Sequence, residues 1–336
     1  MAFPRRLIVS AVTILGMTLP AVAADAIKAP VKSAAADRCA KIEPLPGTPD
    51  LPGGTIFGFT DSTDPSTPCA WDFGSENDFR SGKRDGRYFA ASSKTEFNYG
   101  VTRNIAFSMA VFTNYHRWAN VTSVQDALAS QGDGVLLDRL SRATFDGAST
   151  ELFVRLLERA PGQRFGVAVA VEPRWSRYDR VAGYRAEGYG AEFKFMVDAV
   201  VTERLFAALN LNYGLGAQRF DIPNAIWERG SATNVSGALT AQLYAAEKQP
   251  IEGIFLGLEA RYRSVFSGLA LDRLIADSFN LGPTFAILFP GERILNLAWS
   301  PQLAGKARPA SAPGPLDLDN FERHEFRAKF ATPIGP

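Results

Sequence analysis

Hydrophobic and polar residues alternate along most of the chain with a period of two. In residues 254–266 the even positions up to 262 are apolar, whereas the odd positions include Glu259, Arg261 and Arg263. Successive side chains of a β-strand point to opposite faces, so this stretch predicts a strand with one apolar face and one charged face. The charged face would meet bulk water in a soluble sandwich and a wet interior in a membrane barrel.

Twelve alternating runs predict twelve strands. Many of them exceed ten residues, which is long for a soluble sheet and suits a strand that crosses an outer membrane at a tilt. The predicted strands cover residues 55–61, 86–99, 105–118, 150–157, 165–175, 187–200, 205–218, 232–246, 254–266, 278–289, 294–303 and 321–332.

The connections between these runs alternate in length. Short joins are predicted at 100–104, 160–164, 201–204, 247–252 and 290–293, and longer ones at 62–85, 119–149, 176–186, 220–231, 267–277 and 304–320. Bacterial outer-membrane barrels have short periplasmic turns, long external loops and an even strand number. The fold class predicted is therefore all-β: a transmembrane antiparallel β-barrel of about 12 strands.

The charged series of the strands predicts which side chains line the lumen. The opposite series is nearly free of charge, as a lipid-facing surface must be. Nine basic and six acidic residues in the charged series predict a wet interior of mixed charge with a slight preference for anions. They are Lys94, Glu96, Arg155, Glu172, Arg174, Glu192, Lys194, Asp198, Glu259, Arg261, Arg263, Arg323, Glu325, Arg327 and Lys329. Periodicity alone would also fit a sandwich; strand length, loop rhythm and an export signal favour the barrel.

The N-terminus has the layout of a secretory signal peptide. Arg5 and Arg6 precede an apolar run, and Ala21-Val22-Ala23 supplies small residues for cleavage. We expect residues 1–23 to be the signal peptide, 24–54 an Ala-, Pro- and Lys-rich lead-in and 55–332 the barrel. The chain is 46% hydrophobic and 21% charged with a net charge of +1, which favours no nucleic-acid partner.

Cys39 and Cys69 are the only cysteines, and a disulfide between them is plausible in an oxidising periplasm. The predicted topology places Cys39 before the first strand and Cys69 in the first outer loop, at opposite ends of the barrel. Three alternatives remain open: the lead-in threads through the lumen, the first strand is wrong, or both thiols are free. About 13 extended residues after Cys39 could cross the membrane thickness.

Candidate catalytic chemistry is sparse. Two histidines and two cysteines leave little for a metal site, so no metal and no cofactor are expected. Membrane-embedded lipid hydrolases pair a histidine with a serine, but Phe326 stands two residues after His324. We treat His324 and His116 as structural residues and expect the protein not to be an enzyme.

Three segments resemble hairpins of proteobacterial outer-membrane barrel proteins of the transporter type. They are SGKRDGRYFAASSKTEFNYGVTRNIAFSM, ELFVRLLERAPGQRFGVAVAVEPRW and LAWSPQLAGKA with LDLDNFERHEFRAKF. The resemblance covers about residues 50–331 and implies an outer-membrane barrel with passive or facilitated transport. It names no substrate and no functional residues. The chain departs from such barrels after Phe330, where it continues for six residues instead of ending on an aromatic residue.

The leading function expected is a pore or transporter for small polar or weakly anionic solutes in the bacterial outer membrane. Its partners would be outer-membrane lipid, the solutes and the barrel-assembly machinery, with the oligomeric state left open. The first alternative is a structural or adhesive barrel that acts through its external loops, above all 119–149, where a short helix is predicted near 123–129. A membrane-embedded lipid hydrolase is the third.

Overall fold

The structure is a computed structural model that describes residues 39, 48, 51, 56–130, 137–308 and 314–334. The predicted signal peptide lies outside these residues, as does most of the predicted lead-in.

Twelve antiparallel strands close into one barrel, which confirms the predicted fold class. Each strand pairs with its neighbours in sequence, and β1 pairs with β12 to complete the wall. The strands are β1 Trp71–Ser81, β2 Arg87–Thr102, β3 Ile105–Ala119, β4 Arg139–Leu157, β5 Phe165–Tyr178, β6 Arg185–Thr202, β7 Leu205–Phe220, β8 Glu228–Ala245, β9 Gly253–Ser267, β10 Arg273–Phe289, β11 Arg293–Ala307 and β12 His324–Ile334.

The barrel wall sorts side chains as the alternation predicts. In β9, Leu256 and Leu258 are 48% and 58% exposed on the outer face, whereas Glu259 on the inner face is 2% exposed. The same inversion, with apolar residues outside and polar residues inside, recurs around the wall. An outer surface of this kind is stable against lipid and costly against water.

A helix, α1 (Thr122–Ala129), follows β3 at the end of the barrel with the longer loops. The carboxylate of Asp85 accepts hydrogen bonds from the Thr122 backbone N–H and hydroxyl, which holds the helix start. The helix residues Val124 and Leu128 are buried. Among the described residues, no helix has the length and apolar character needed to cross a membrane.

The predicted first strand is wrong, although the strand count is right. Residues 56–61 form no strand, and β1 lies instead within the predicted outer loop 62–85. The stretch 56–61 alternates weakly because both of its sides are buried. The outward series of β1 is diluted by Ser75 and Asn77, whose side chains hydrogen-bond to each other.

The connections between strands differ less in length than predicted. Strands continue past the predicted boundaries, so the links 82–86, 179–184 and 268–272 have only five or six residues. The longest is 120–138, after β3. β4, for example, starts at Arg139 with exposed polar residues, which carry no apolar alternation to detect. Below, the end of the barrel with the turns 103–104, 203–204 and 290–292 is the short-turn end, and the opposite end is the loop end.

Candidate functional site: the occupied lumen

Residues 56–64 lie inside the barrel, in the half nearer the short-turn end; we call them the inner segment. Ile56 and Phe57 are 0% exposed, although they belong to no strand. Gly58 lets the segment approach the wall, because a Cβ there would overlap the Cβ of Ala298. The barrel therefore carries part of its own chain as an occupant.

An apolar cluster fills the lumen at the short-turn end. Leu51, Ile56 and Phe57 pack there against inward-facing wall residues that include Phe206 and Phe255. The rings of Phe206 and Phe255 meet edge to face at 6.2 Å. The prediction of a wet interior is wrong for this half, which is packed like the core of a soluble domain.

Glu259 of β9 holds the tip of the inner segment. Its carboxylate accepts hydrogen bonds from the backbone N–H groups of Gly58, Phe59 (2.7 Å) and Thr60 (3.2 Å), and from the Thr60 hydroxyl at 3.4 Å. Among the described residues Glu259 makes no ion pair. Its buried charge is stabilised by segment donors, which makes it a dedicated anchor.

A second anchor lies on β6. Asp198, 1% exposed, accepts hydrogen bonds from the backbone N–H of Thr63 at 2.6 Å and from its hydroxyl at 2.9 Å. Arg159, in the turn between β4 and β5, bridges Asp198 to Asp64 of the inner segment. Arg155 adds a contact to Asp64 at 3.4 Å. The end of the segment is thus fixed by charge-assisted hydrogen bonds.

The middle of the inner segment meets basic residues of the wall. The guanidinium groups of Arg261 and Arg327 lie 4.1 and 4.7 Å from the ring centre of Phe59, a cation–π arrangement. Lys329 pairs with Asp61 at 3.1 Å. Asn296 donates to the Ile56 carbonyl at 2.9 Å. Polar and charged side chains of the wall therefore contact the inner segment and do not face water alone.

The wall charges also pair with one another across the lumen. Lys194 contacts Glu151 at 2.6 Å and Glu172 at 3.1 Å, and Lys94 contacts Glu172 at 3.3 Å. At the closure of the barrel, Arg327 of β12 grips Asp78 of β1 through two hydrogen bonds of 2.6 and 2.9 Å. These pairs join neighbouring strands, such as β5 and β6, as well as strands further apart in the wall, such as β2 and β5.

The predicted lumen residues lie on the inward face of their strands, with one exception. Arg323 is exposed and precedes β12, which begins at His324. Phe321 and Glu322, just before it, are buried in the mouth. The alternation of inward and outward side chains therefore begins only at His324, the first residue of β12. That Arg323 lines the lumen stays a prediction.

The link 179–184 between β5 and β6 folds into the mouth at the loop end; we call it the mouth loop. Its carbonyls accept hydrogen bonds from wall side chains. Tyr88 bonds to Val181 O at 3.0 Å and Trp118 to Ala182 O at 2.8 Å. Trp118 is 1% exposed inside the mouth.

Ion pairs close the side of the mouth near β1. Arg80 and Lys83 approach Glu322 at 3.4 and 3.7 Å. Burial alone would raise the pKa of Glu322, but the charges of Lys83 and Arg80 outweigh it and hold that pKa below its ordinary value. A carboxyl with a lowered pKa keeps its contribution above its unfolded pKa and loses it only at a lower pH. The pair therefore persists through mildly acidic conditions.

Cys39 and Cys69 are joined by a disulfide, with their Cα atoms 5.3 Å apart. Cys69 lies at the short-turn end, where its backbone N–H donates to Gly100 O at 2.7 Å, and not in an outer loop as predicted. The opposite-ends difficulty arose from the wrong first strand. Because the inner segment lies between the two cysteines, the disulfide closes a loop that contains it.

Gly166 of β5 makes room for the inner segment. A Cβ at this position would overlap the Thr63 hydroxyl. We expect Gly166→Val to loosen the segment and to cost about 1–3 kcal/mol through overpacking. A lower temperature of the heat-induced gel shift of the folded barrel would show this.

Gly214→Val is the matched control, since Gly214 lies in β7 and a Cβ there meets nothing within 4 Å. Equal shifts for the two variants would mean that Gly166 does not accommodate the segment.

Sequence reasoning missed several site residues. Arg159 lies in a turn, Asp64 in a supposed loop, and Asp78 in the missed strand, so none belonged to a charged series. Their signal is visible only in retrospect: the β1 stretch alternates Asp72, Gly74, Glu76 and Asp78. In the part of the chain that the structure describes, no three His, Cys, Asp or Glu side chains converge as a metal site requires.

Comparison with solved structures gives barrels of low sequence identity. The COG4313 outer membrane channel from Pseudomonas putida F1 has 12% identity and a TM-score of 0.47, covering 81% of this chain and 98% of the channel. The β domain of the Bordetella autotransporter BrkA has 12% identity and a TM-score of 0.47, covering 78% and 99%. LpxR from Salmonella typhimurium has 8% identity and a TM-score of 0.40, covering 78% and 99%.

No curated protein matches the sequence. A family model matches residues 51–333, a range that starts just ahead of the inner segment and runs to the last strand. The matched range therefore includes both the barrel and its internal occupant, and the chain belongs to the family of unknown function DUF6662.

Proposed function

We propose that this protein is a gated outer-membrane pore for small polar or weakly anionic solutes, with the inner segment as its built-in plug. The observation that carries the proposal is the way the segment is held. A polar wall, rich in ionisable groups, grips a short stretch of chain by side-chain contacts and not by strand pairing. Such contacts can be exchanged for water without opening the barrel wall.

The bacterial outer membrane is the proposed location. The apolar outer face suits contact with outer-membrane lipid, and the short-turn end would face the periplasm. The disulfide fits that oxidising compartment. The barrel-assembly machinery would insert the protein, as it does other barrels of this architecture.

The solute class follows from the charges around the lumen. Mixed-charge pores favour small polar solutes, and arginine side chains near the entrance favour anions. Arg174 and Arg263 lie toward the loop-end half, above the plug, and Arg261 lies against Phe59 of the plug. A solute from outside would therefore meet Arg174 and Arg263 first.

A structural or adhesive barrel is the second candidate. The packed short-turn half supports it, because a barrel filled like a protein core needs no transport role. The 120–138 link with α1 would then supply an external surface. That the protein is not a lipid hydrolase stays a prediction, which an assay of lipid hydrolysis by the refolded protein would check.

Planar-bilayer recording tests the proposal. The full mature chain, folded in detergent and incorporated into a bilayer, is expected to show brief, infrequent current steps as the plug leaves and returns. A heat-dependent gel shift shows that the protein used is folded. A folded barrel that passes no current at any applied voltage would favour the structural candidate and overturn the pore.

A further inference from the structure

We propose that Arg180 is the recognition residue of an oxyanion site in the loop-end half of the lumen, where it binds the carboxylate or phosphate group of a small solute. The inference rests on the proposed pore function and deepens it, because it names the site and the chemical class of the solute. The observations concern the position of Arg180, the lack of a partner for its charge, and the use already made of nearby carboxylates.

The backbone of Arg180 is fixed from two sides. Arg80 donates from Nη2 to the Arg180 carbonyl at 2.9 Å, and the His116 Nε2 atom lies 2.9 Å from the same oxygen. The neighbouring carboxylate of Asp179 accepts from the backbone N–H groups of Val181 and Ala182. The mouth loop is therefore a rigid mount, and only the side chain of Arg180 is free to respond to a solute.

The Arg180 side chain carries an uncompensated charge. It is exposed, and it forms no ion pair or hydrogen bond with any residue that the structure describes. Its backbone carbonyl lies within hydrogen-bond distance of Arg80 and His116, which are buried inward-facing wall residues. We therefore place the exposed guanidinium group at the mouth of the lumen, in contact with water.

Nearby carboxylates are already committed. Glu325 is shared by Arg261 at 2.9 Å and Arg263 at 3.1 Å. Glu322 is shared by Arg80 and Lys83. Each of these two acids therefore serves two cations, and in the part of the chain that the structure describes neither forms an ion pair with Arg180.

Asp146 is committed in a similar way. It pairs with Arg174 at 2.7 Å and also accepts from the backbone N–H groups of Arg177 and Tyr178. Asp146 therefore has its contacts with other residues and forms no ion pair with Arg180 among the described residues.

Two hydrogen-bond donors of this region lack acceptors. Within the described residues, the Nε–H groups of Arg80 and Arg174 are buried and have no acceptor. Buried donors without acceptors are uncommon in native proteins. An incoming anion would supply the partner that the guanidinium group of Arg180 lacks.

A guanidinium group suits an oxyanion because its fork of N–H donors matches the two oxygens of a carboxylate or phosphate. Phe112, whose ring centre lies 3.8 Å from the Arg174 guanidinium, stiffens the opposite wall. In anion pores, arginine side chains that line the path of the solute set the selectivity for anions. Solute that binds at Arg180 would sit above the inner segment, on the outer side of the plug.

Calorimetric titration of the detergent-folded full chain with inorganic phosphate, and separately with acetate, tests the site. We expect Arg180→Gln to weaken binding at least about tenfold and Arg180→Lys, which keeps the charge without the fork, to fall in between. Arg117→Gln is the matched control, because Arg117 is an exposed β3 residue at the same end. It should leave binding unchanged.

Binding that is absent in the wild-type protein, or equal in wild type and Arg180→Gln, would overturn the site. The Arg180 side chain has no contact to lose, so the variants are expected to keep the gel shift of the folded barrel. Bilayer recording of the same samples separates the two proposals. Anion binding that depends on Arg180 without any conductance would remove the pore and keep the site, whereas conductance without Arg180-dependent binding would do the reverse.

Discussion

Replacing residues 56–64 with a nine-residue glycine–serine stretch is expected to convert brief current steps into a stable open pore. The single-channel conductance should rise at least about tenfold, because a barrel of this strand number has a lumen that side chains alone do not fill completely. The measurement is single-channel recording in a planar bilayer, with both proteins shown to be folded by their gel shifts.

The reason for so large an effect is the location of the barrier. Ile56 and Phe57 are wholly buried among inward-facing apolar residues, so water is excluded where they sit. Arg180, at the opposite end, is exposed even though the mouth loop folds inward. Removal of the apolar side chains therefore removes the driest part of the path for an ion.

Replacing the β8–β9 turn, residues 246–252, with glycine and serine is a control at the same end of the barrel. That turn contributes no residue to the apolar cluster and should leave the conductance near the wild-type value. If the plug replacement folds but conducts no better than this control, the barrier lies at the mouth loop, and the inner segment is a structural core.

The wall could be predicted from the sequence because lipid imposes a simple rule. Strands that separate apolar from polar surroundings must alternate, and eleven of the twelve strands do so strongly enough to be placed near their observed positions. The loop-end parts of β4 and β10, residues 139–149 and 273–277, were missed, since a strand that leaves the membrane no longer needs an apolar face.

The plug could not be predicted in the same way. Inner-segment residues are surrounded on all sides, so neither a period of two nor a period of 3.6 marks them. Phe57 and Phe59 share one side of an extended chain, yet Phe57 packs in the apolar cluster and Phe59 lies between two arginines. Their environments include wall residues 200 or more positions away, as with Glu259 and Arg327 around Phe59.

The residues of the candidate site also fall into a group that alternation could predict and a group that it could not. Charged residues on strands, such as Glu259 and Asp198, were placed on the inner face by alternation alone. What they bind was not visible, because the partners are backbone N–H groups of a segment without periodic pattern. Arg180 was missed because alternation assigns no inward or outward side to a loop residue. Its position depends on the fold of the mouth loop.

Glu259→Gln is expected to release the tip of the inner segment. Three backbone N–H groups and one hydroxyl converge on a carboxylate, which has only acceptor atoms. Glutamine keeps the shape but presents an NH2 group to donors, so buried N–H groups lose their acceptor at a cost of about 2–4 kcal/mol. Amide exchange at residues 58–60, followed by hydrogen–deuterium mass spectrometry, should become at least about thirtyfold faster.

Replacing Glu259 tests how the inner segment is held more specifically than replacing Asp198, because Asp198 also pairs with an arginine outside the segment. Removing the Asp198 charge would take one of two carboxylate partners from Arg159, which is 6% exposed in its side chain, and so would disturb the wall as well as the plug. Glu259 makes no ion pair among the described residues, so its loss acts on the inner segment. Glu247→Gln, an exposed position in the β8–β9 turn, removes the same charge at the same end and should leave exchange unchanged. Unchanged exchange at residues 58–60 in Glu259→Gln would mean that the apolar cluster, and not the carboxylate, holds the plug in place.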